Sequence, residues 1–344
     1  MIVDRYYYHQ LNKDEQKIYK IFYEGVMAHK DIIPIPMKGL PSQEFMDNVF
    51  FALTRDNPLI YFLNQSAFSY AQDDFGNVAI VPQYFFNKDV VKQYNRKIET
   101  AVNGLAAQLK LTEGTEYEKE LKVHDWICKN IEYDKDGHNT KNVAKIIMSH
   151  NIIGVFAHHK AQCEGIAKAT KVLLNAVDIK CIVATGMATS KRENGPHAWN
   201  IVNIDNKPYQ LDITWDLPIT YGKSNIDSDM RISYDYFNLT DSEILKSRTT
   251  EKSLPVCDSD DMNYFKMNNL IFKSKSQVLK YIEDGLAKGY SQFYFRLAGR
   301  LSLNTIYKAV FELITNYLHE NGIIGETVWR DFNDDLKTCY LVIK

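Results

Sequence analysis

The stretch QCEGIAKATKVLLNAVD, residues 162–178, places a cysteine directly in front of an apolar run that looks helical. A thiol in the first turn of a helix lies beside backbone N–H groups that have no partner within the helix, and these groups favour the thiolate. The same N–H groups could stabilise a negatively charged oxygen in a reaction intermediate. Cys163 is therefore a candidate nucleophile, although a lone cysteine is more often a small buried apolar side chain.

Two strands are predicted downstream, PHAWNIVNI and KPYQLDITWD, joined by a two-residue turn at Asp205–Asn206. This turn pairs His197 with Thr214. It likewise pairs Trp199 with Asp212, so that all four side chains point to one face of the sheet. His197 and Asp212 are then diagonal neighbours, with Cα atoms about 7–8 Å apart. An imidazole fixed by a carboxylate is what a general base requires, although a buried histidine beside a hairpin aspartate can also be purely structural.

The ordered combination of QCEG, HAWN and LDITWD resembles the transglutaminase-like superfamily of thiol enzymes, whose members share a papain-like core. The resemblance covers about residues 117–216 and includes HDWICKNIEYD upstream of the cysteine. It implies that Cys163 is the nucleophile and that His197 acts first as the base and later as the acid. It also implies that Asp212 orients the histidine.

The chain departs from common forms of this motif at two positions. Ala161 and Ile213 stand where a glycine and a proline are frequent, and neither departure removes a reacting group. Asp216 is a second acid in the same segment and is an alternative third residue. The backbone N–H of the nucleophile is the first candidate for the oxyanion donor, and Gln162 or a tyrosine could supply another. Trp199 is a candidate for a wall of the site.

Metal binding is the main chemical alternative. His158, His159 and Cys163 are possible ligands within six residues, and His124 with Cys128 forms an i, i+4 pair on a predicted helix. A zinc site needs three or four ligands in closed geometry, and these residues do not form a recognised spacing. Use of the cysteine as a ligand would also prevent it from acting as a nucleophile. No metal and no other cofactor is therefore expected.

Other site types lack their sequence patterns. The chain contains no GxxxxGK[ST] phosphate loop, no GxGxxG and no GxSxG nucleophile elbow. Members of the superfamily that cross-link animal proteins use calcium, and the segment VCDSDDMNY, residues 256–264, contains clustered acids. It has no EF-hand spacing with a terminal glutamate, so we interpret it as a solvated turn.

The predicted fold class is α+β, with a papain-like, transglutaminase-like core. We expect an N-terminal α+β region over residues 1–115, the catalytic core over 116–220, an irregular connector over 221–258 and a small C-terminal α/β domain over 259–344. The last prediction rests on the βαβαββ alternation of apolar patterns after the polar connector.

The composition of the chain limits which partners and which cellular location are expected. The net charge is −2, which argues against nucleic acid or an anionic membrane surface as the main partner. No window reaches 18 apolar residues, and the first twenty residues lack a basic segment followed by an apolar core, so neither a membrane span nor a signal peptide is predicted. Five cysteines without close spacing indicate free thiols in a reducing compartment. We expect a cytoplasmic protein, and no pattern specifies its oligomeric state.

Together these features predict a cysteine enzyme that acts on amide bonds of a peptide or protein substrate. Thiolate attack by Cys163 would give a thioester, which passes its acyl group to water as a peptidase does, or to an amine as a transglutaminase does. Water exclusion and access of the acceptor decide between these outcomes. The alternative is a catalytically silent member of the superfamily that serves as a peptide-binding or protein-binding scaffold. An intact cysteine, histidine and aspartate argue against that alternative.

Overall fold

The structure is a computed structural model, and it describes residues 5–138, 143–189, 194–218 and 232–344. The fold of these residues is α+β, as predicted. An N-terminal α+β region comes first, a central antiparallel sheet with its helices follows, and a C-terminal sheet with two long helices comes last. Within the described ranges, no helix is both long and apolar enough to cross a membrane.

The N-terminal region packs three helices with a three-stranded sheet. Its elements are α1 (Lys13–Met27), β1 (Ile33–Lys38), α2 (Gln43–Asp56), β2 (Leu63–Gln72), β3 (Asn77–Tyr84) and α3 (Lys88–Gln108). The strands pair antiparallel in the order β1–β3–β2. Helix α1 begins at a capping box in which Asn12 and Glu15 satisfy each other's backbone N–H groups.

The central part of the chain carries a four-stranded sheet. Its elements are α4 (Glu116–Asn130), β4 (Glu132–Tyr133), α5 (Val143–Ser149), β5 (Lys160–Ala161), α6 (Cys163–Asn175), β6 (Cys181–Thr189), β7 (Asn194–Ile204), β8 (Lys207–Leu211), α7 (Ile213–Asp216), α8 (Asp241–Ile244) and β9 (Arg248–Thr250). The main sheet has the antiparallel order β8–β7–β6–β9, and α6 packs against β6 and β7. One continuous hydrophobic cluster joins this part to the N-terminal region.

The start of α6 is fixed by a close backbone approach. A Cβ atom at Gly165 would lie 2.5 Å from the carbonyl oxygen of Ser149 and 3.0 Å from that of Asn151. Only glycine therefore lets the first turn of α6 pack against the chain that follows α5. The helix begins at Cys163, as the sequence predicts.

The predicted two-residue turn is present, but the second strand is shorter than predicted. Asp205 and Asn206 both have positive φ, and Ile204 pairs with Lys207 as expected. Strand β8 ends at Leu211, so the predicted pairing of His197 with Thr214 and of Trp199 with Asp212 is wrong.

The strand ends because Asp212 caps a short helix. Its side chain accepts a hydrogen bond from the backbone N–H of Trp215 at 3.2 Å, and its own N–H donates to the carbonyl oxygen of Tyr236 at 3.0 Å. Aspartate is a favourable helix N-cap, so α7 forms where a continued strand was expected.

The C-terminal part has its own hydrophobic cluster. Its elements are α9 (Tyr264–Met267), β10 (Ile271–Phe272), α10 (Lys275–Ala287), β11 (Gln292–Leu297), α11 (Leu303–Glu320), β12 (Val328–Asn333) and β13 (Thr338–Ile343). The strand order is β10–β11–β13–β12, with only the β10–β11 pair parallel. Phe293 and Phe295 on β11 are buried in this cluster together with residues of α10 and α11.

Candidate active site

Cys163 is the first residue of α6, and its side chain is almost fully buried. It is 7 % exposed and belongs to a small apolar cluster with Ala167, Val183 and Ala198. Ala198 lies on β7, immediately after His197. The packing of α6 on the sheet therefore brings the thiol to the part of β7 that carries the candidate base.

His197 and Asp212 form the hydrogen-bonded pair that the sequence predicts. Nε2 of the imidazole lies 2.8 Å from Oδ2 of the carboxylate, and both side chains are buried. Arg248 on β9 donates to the same oxygen through Nη1. Burial alone would raise the pKa of Asp212, but the charges and hydrogen bonds of His197 and Arg248 lower it to about 2. The carboxylate is therefore ionised at neutral pH.

The contact between His197 and Asp212 is present, but it does not arise from the strand pairing that was predicted. The two residues are not diagonal neighbours on paired strands, because β8 has ended before Asp212. The carboxylate instead serves two partners from the N-cap of α7. Its Oδ1 accepts from the N–H of Trp215, and its Oδ2 accepts from His197.

Aromatic rings surround the imidazole. The ring of Trp199 is stacked 6.1 Å from that of His197, and the ring of Trp215 lies 5.4 Å away. Trp199 is fixed by a hydrogen bond from Nε1 to the side-chain oxygen of Gln210 at 2.7 Å. The indole of Trp199 therefore lies beside the imidazole of His197.

Asp216, the alternative third residue, binds elsewhere. Both of its carboxylate oxygens accept from the backbone N–H of Tyr236, and Oδ2 lies 3.2 Å from Nε2 of His124. Of the two acids in this segment, Asp212 is therefore the hydrogen-bond partner of His197.

Residues 103–213 match the sequence model of the transglutaminase-like superfamily. The match covers about a third of the chain and contains Cys163, His197 and Asp212. This region belongs to the transglutaminase-like superfamily. The resemblance seen in QCEG, HAWN and LDITWD is thereby confirmed at the level of the superfamily.

Three solved structures are similar to parts of the chain. One is a TGase, with 16 % identity, a TM-score of 0.32 and coverage of 58 % of this chain and 54 % of that one. A proposed cysteine protease from Cytophaga hutchinsonii has 13 % identity, a TM-score of 0.29 and coverage of 45 % and 64 %. A proposed protease from Parabacteroides distasonis has 16 % identity, a TM-score of 0.26 and coverage of 41 % and 30 %. The chain thus spans less than two thirds of the length of each. A sequence comparison with curated proteins found no match.

Gln162, a candidate oxyanion donor, holds the chain immediately before Cys163. Its backbone N–H donates to the carbonyl oxygen of Ser149 at 2.9 Å, and its side-chain Nε2 donates to that of Asp134 at 3.2 Å. The side chain is fully buried. One amide hydrogen is thus committed to Asp134, and any role toward an oxyanion would use the other.

His124 and Cys128, the i, i+4 pair considered for zinc binding, lie in contact with each other. His124 lies 3.8 Å from the sulfur of Cys128 and bonds to Asp125 and Asp216 through its two ring nitrogens. Burial opposes protonation of His124, but the neighbouring thiol and the two carboxylates raise its pKa well above the ordinary value. Among the described residues, no three histidine, cysteine or acidic side chains form a group that could hold a metal ion.

The acidic segment at residues 256–264 is neutralised by lysines. Lys266 bonds to Asp260 at 2.6 Å and to Asp261 at 3.0 Å, and Lys207 bonds to Asp261 at 2.6 Å. All of these side chains are exposed, as expected for a solvated turn.

Most of the residues 232–250, which belong to the connector predicted over 221–258, are buried or partly buried. They include α8, β9 and the buried side chains of Tyr236 and Phe237. They also supply Arg248, which the sequence analysis missed. The sequence gives little indication of its role. Arg248 lies 36 residues after Asp212, on a three-residue strand in a polar stretch that matches no motif.

Proposed function

We propose that this protein is a transglutaminase-like cysteine enzyme that cleaves or transfers amide bonds of a peptide or protein substrate. The observation that carries this proposal is the buried 2.8 Å hydrogen bond between His197 Nε2 and Asp212 Oδ2. His197 directly precedes Ala198 on β7, and Cys163 packs against Ala198 from the start of α6. A thiol, an imidazole and an orienting carboxylate in this order form the arrangement needed for an activated nucleophile.

The first half of the reaction uses the other ring nitrogen of the histidine. Asp212 holds the proton on Nε2, so Nδ1 accepts the proton of the Cys163 thiol. The sulfur attacks the carbonyl carbon of the amide, and the C–S bond forms. Backbone N–H groups in the first turn of α6 stabilise the negative oxygen. The C–N bond then breaks as His197 returns the proton to the leaving nitrogen, and a thioester with Cys163 remains.

The second half transfers the acyl group. Water or a primary amine attacks the thioester carbon. At the same time, Nδ1 of His197 takes a proton from the attacking molecule. The C–S bond breaks, and the proton returns to the sulfur to restore the thiol. Water gives hydrolysis, and a lysine side chain gives an isopeptide bond.

Labelling with iodoacetamide tests the nucleophile. All five cysteines are buried, and burial raises the pKa of Cys128 and of Cys257. We expect Cys163 to be alkylated first near neutral pH, as followed by peptide mass spectrometry. Replacement of His197 by glutamine should slow that reaction, and Cys339→Ala serves as the control that leaves it unchanged. Equal labelling of all five thiols would argue against an activated nucleophile.

Two activity assays separate the reaction types. One measures incorporation of a fluorescent amine into a glutamine-containing protein, and the other measures release of peptides from the same protein. Both signals should vanish in Cys163→Ala and persist in Cys339→Ala. Amine incorporation in excess of peptide release would establish transfer as the main reaction.

One observation favours the alternative of a silent binding protein. Cys163, His197 and Asp212 are all nearly or fully buried, as expected of side chains that serve packing and not contact with a substrate. A scaffold function predicts slow labelling of Cys163 and no activity in either assay, together with peptide binding that survives Cys163→Ala.

We also propose a reducing, cytoplasmic setting. All five cysteines fall within the described residues, and none of them forms a disulfide. An enzyme that depends on a free thiol is active only where that thiol stays reduced. Reversible loss of activity on mild oxidation, with recovery on addition of a reductant, tests this expectation.

A further inference from the structure

Arg248 makes a buried ion pair with the carboxylate that orients the histidine. It is the first residue of β9, and its side chain is 2 % exposed. Its Nη1 donates to Oδ2 of Asp212, the same oxygen that bonds to His197 Nε2. Since both nitrogens bind one oxygen, they lie within about 5 Å of each other. Arginine and imidazole therefore share a single acceptor.

Aromatic faces enclose the guanidinium. Its central carbon lies 4.2 Å from the ring centre of Trp215, 5.1 Å from that of Trp199 and 5.5 Å from that of Tyr236. Among the described residues, Nε and Nη2 have no hydrogen-bond partner. The aromatic faces and Asp212 are thus the groups that compensate the buried charge.

Backbone pairing delivers Arg248 to this position. Strand β9 pairs with β6, with Arg248 opposite Ala188 and Thr250 opposite Gly186. A Cβ atom at Gly186 would lie 1.7 Å from the carbonyl oxygen of Thr249. On its other side, Gly186 is paired with His197. Glycine at this point allows β9 to close against the strand that neighbours the histidine.

We infer that Arg248 is a positioning residue for the proposed reaction: it fixes Asp212 and, through the carboxylate that both residues share, opposes protonation of His197. This inference rests on the proposed function. Other titratable groups near the pair are Cys163 on α6 and Tyr236 in the segment before α8. Asp216 is one step further away and binds the backbone N–H of Tyr236.

Arg248 affects the protonation of His197 because both side chains bind the carboxylate of Asp212. Protonation of His197 places a second positive charge within about 5 Å of the guanidinium, which disfavours the imidazolium. The imidazolium is therefore a stronger acid toward the leaving nitrogen. Arginine is suited to this task because its own charge persists over the whole physiological pH range.

Titration of His197 by NMR in the full-length protein tests this inference. In Arg248→Met the pKa of His197 should rise by about one unit or more, because a nearby positive charge is removed. Arg248→Lys retains a charge and should give a clearly smaller rise. Arg296→Met is the matched control, since Arg296 pairs with Glu243 away from the site and its loss should not move His197. The His197→Gln variant assigns the resonance.

Near-ultraviolet circular dichroism checks that each variant is folded. If Arg248→Met does not fold, Arg248→Gln takes its place as the neutral variant. A folded neutral variant in which the pKa of His197 stays within about 0.3 units of the wild-type value would overturn the inference. An equal rise in Arg248→Lys and Arg248→Met would also overturn it, because charge would then not be the cause.

The readouts distinguish this inference from the proposed function. The His197 titration needs neither substrate nor turnover, so it tests Arg248 even in a silent protein. Absence of activity and of preferential Cys163 labelling counts against the enzyme, whatever the titration shows. A rise in the pKa of His197 together with a reactive Cys163 supports both.

Discussion

Arg55 on α2 is joined to Glu164 on α6 at 3.0 Å. Glu164 is the residue immediately after Cys163, so the ion pair connects the N-terminal region to the first turn of α6. Lys168 bonds to the same carboxylate at 2.9 Å and His150 at 3.1 Å. Three cationic or ionisable side chains from α2, α6 and the end of α5 thus converge on one acid beside the proposed nucleophile.

Loss of the Glu164 charge should destabilise the fold. Lys168 is only 1 % exposed, and Glu164→Gln leaves it buried without its ionic partner. Removing one member of a buried pair typically costs about 3–5 kcal/mol, and partial exposure of Glu164 places the expected loss at the lower end. Urea unfolding at pH 7 measures it. Glu113→Gln, at an exposed position, is the control.

The destabilisation caused by Glu164→Gln should decrease as the pH falls. Burial would raise the pKa of Glu164, but Lys168, His150 and Arg55 hold it well below the ordinary value. A depressed carboxyl pKa contributes stability above the pKa of the unfolded chain, and this contribution is lost as the pH falls. The difference in unfolding free energy between wild type and Glu164→Gln should therefore shrink on acidification below about pH 5. A constant difference would contradict the assigned role.

Asp212→Asn should reduce activity far more than Asp216→Asn. The asparagine can stabilise neither the required tautomer nor the imidazolium, and loss of an orienting carboxylate costs about 10⁴-fold in kcat in a serine protease triad. Asp216 binds His124 and the N–H of Tyr236, so its replacement should act mainly on stability. The measurement is kcat in whichever assay shows turnover, at a temperature where both variants are folded. Comparable losses in the two variants would refute the assignment of Asp212.

The sequence predicted the features that depend on local patterns. The start of α6 at Cys163 follows from an apolar run behind a polar residue, and the turn at Asp205–Asn206 follows from residues that tolerate positive φ. The length of β8 was wrong because a strand pattern and a helix N-cap compete for Asp212. Tertiary contacts of its N–H and its carboxylate decide that competition, and these lie outside the local sequence.

Arg248 illustrates what local patterns do not contain. Its role depends on β9 closing against β6, and that closure depends on Gly186, which lies 62 residues earlier. Each residue is ordinary in its own segment. Only the sheet order β8–β7–β6–β9 makes them neighbours of His197.

Gly186→Ala should displace β9 and with it Arg248. The added Cβ would meet the carbonyl oxygen of Thr249 at 1.7 Å, and a backbone atom cannot move away at low cost. We expect a loss of about 1–3 kcal/mol in unfolding free energy, as for other overpacked sites. Gly104→Ala is the matched control, because it lies within α3 with no atom within 4 Å of the new Cβ. That variant should be more stable by about 0.5–1 kcal/mol, since alanine favours the helix.

The two glycine variants also separate packing from chemistry. Gly186→Ala should raise the pKa of His197 in the same direction as Arg248→Met, because both withdraw the guanidinium from Asp212. Gly104→Ala should leave it unchanged. A stable Gly186→Ala protein with an unchanged His197 titration would show that β9 holds its position without the glycine.

Glu120→Gln should stabilise the protein at high pH. Glu120 is fully buried on α4, where burial raises its pKa to about 8 despite a hydrogen bond from Asn238 at 2.7 Å. A carboxyl whose folded pKa is raised binds a proton that the unfolded chain has released, so wild-type stability falls as the pH rises from about 4 to 8. The neutral amide does not titrate and can still accept from Asn238. Relative to wild type, the variant should therefore gain about 1–3 kcal/mol between pH 5 and pH 9, as measured by urea unfolding. Glu113→Gln should show no such gain, and a variant whose stability parallels that of wild type over this range would mean that Glu120 is ionised in the fold.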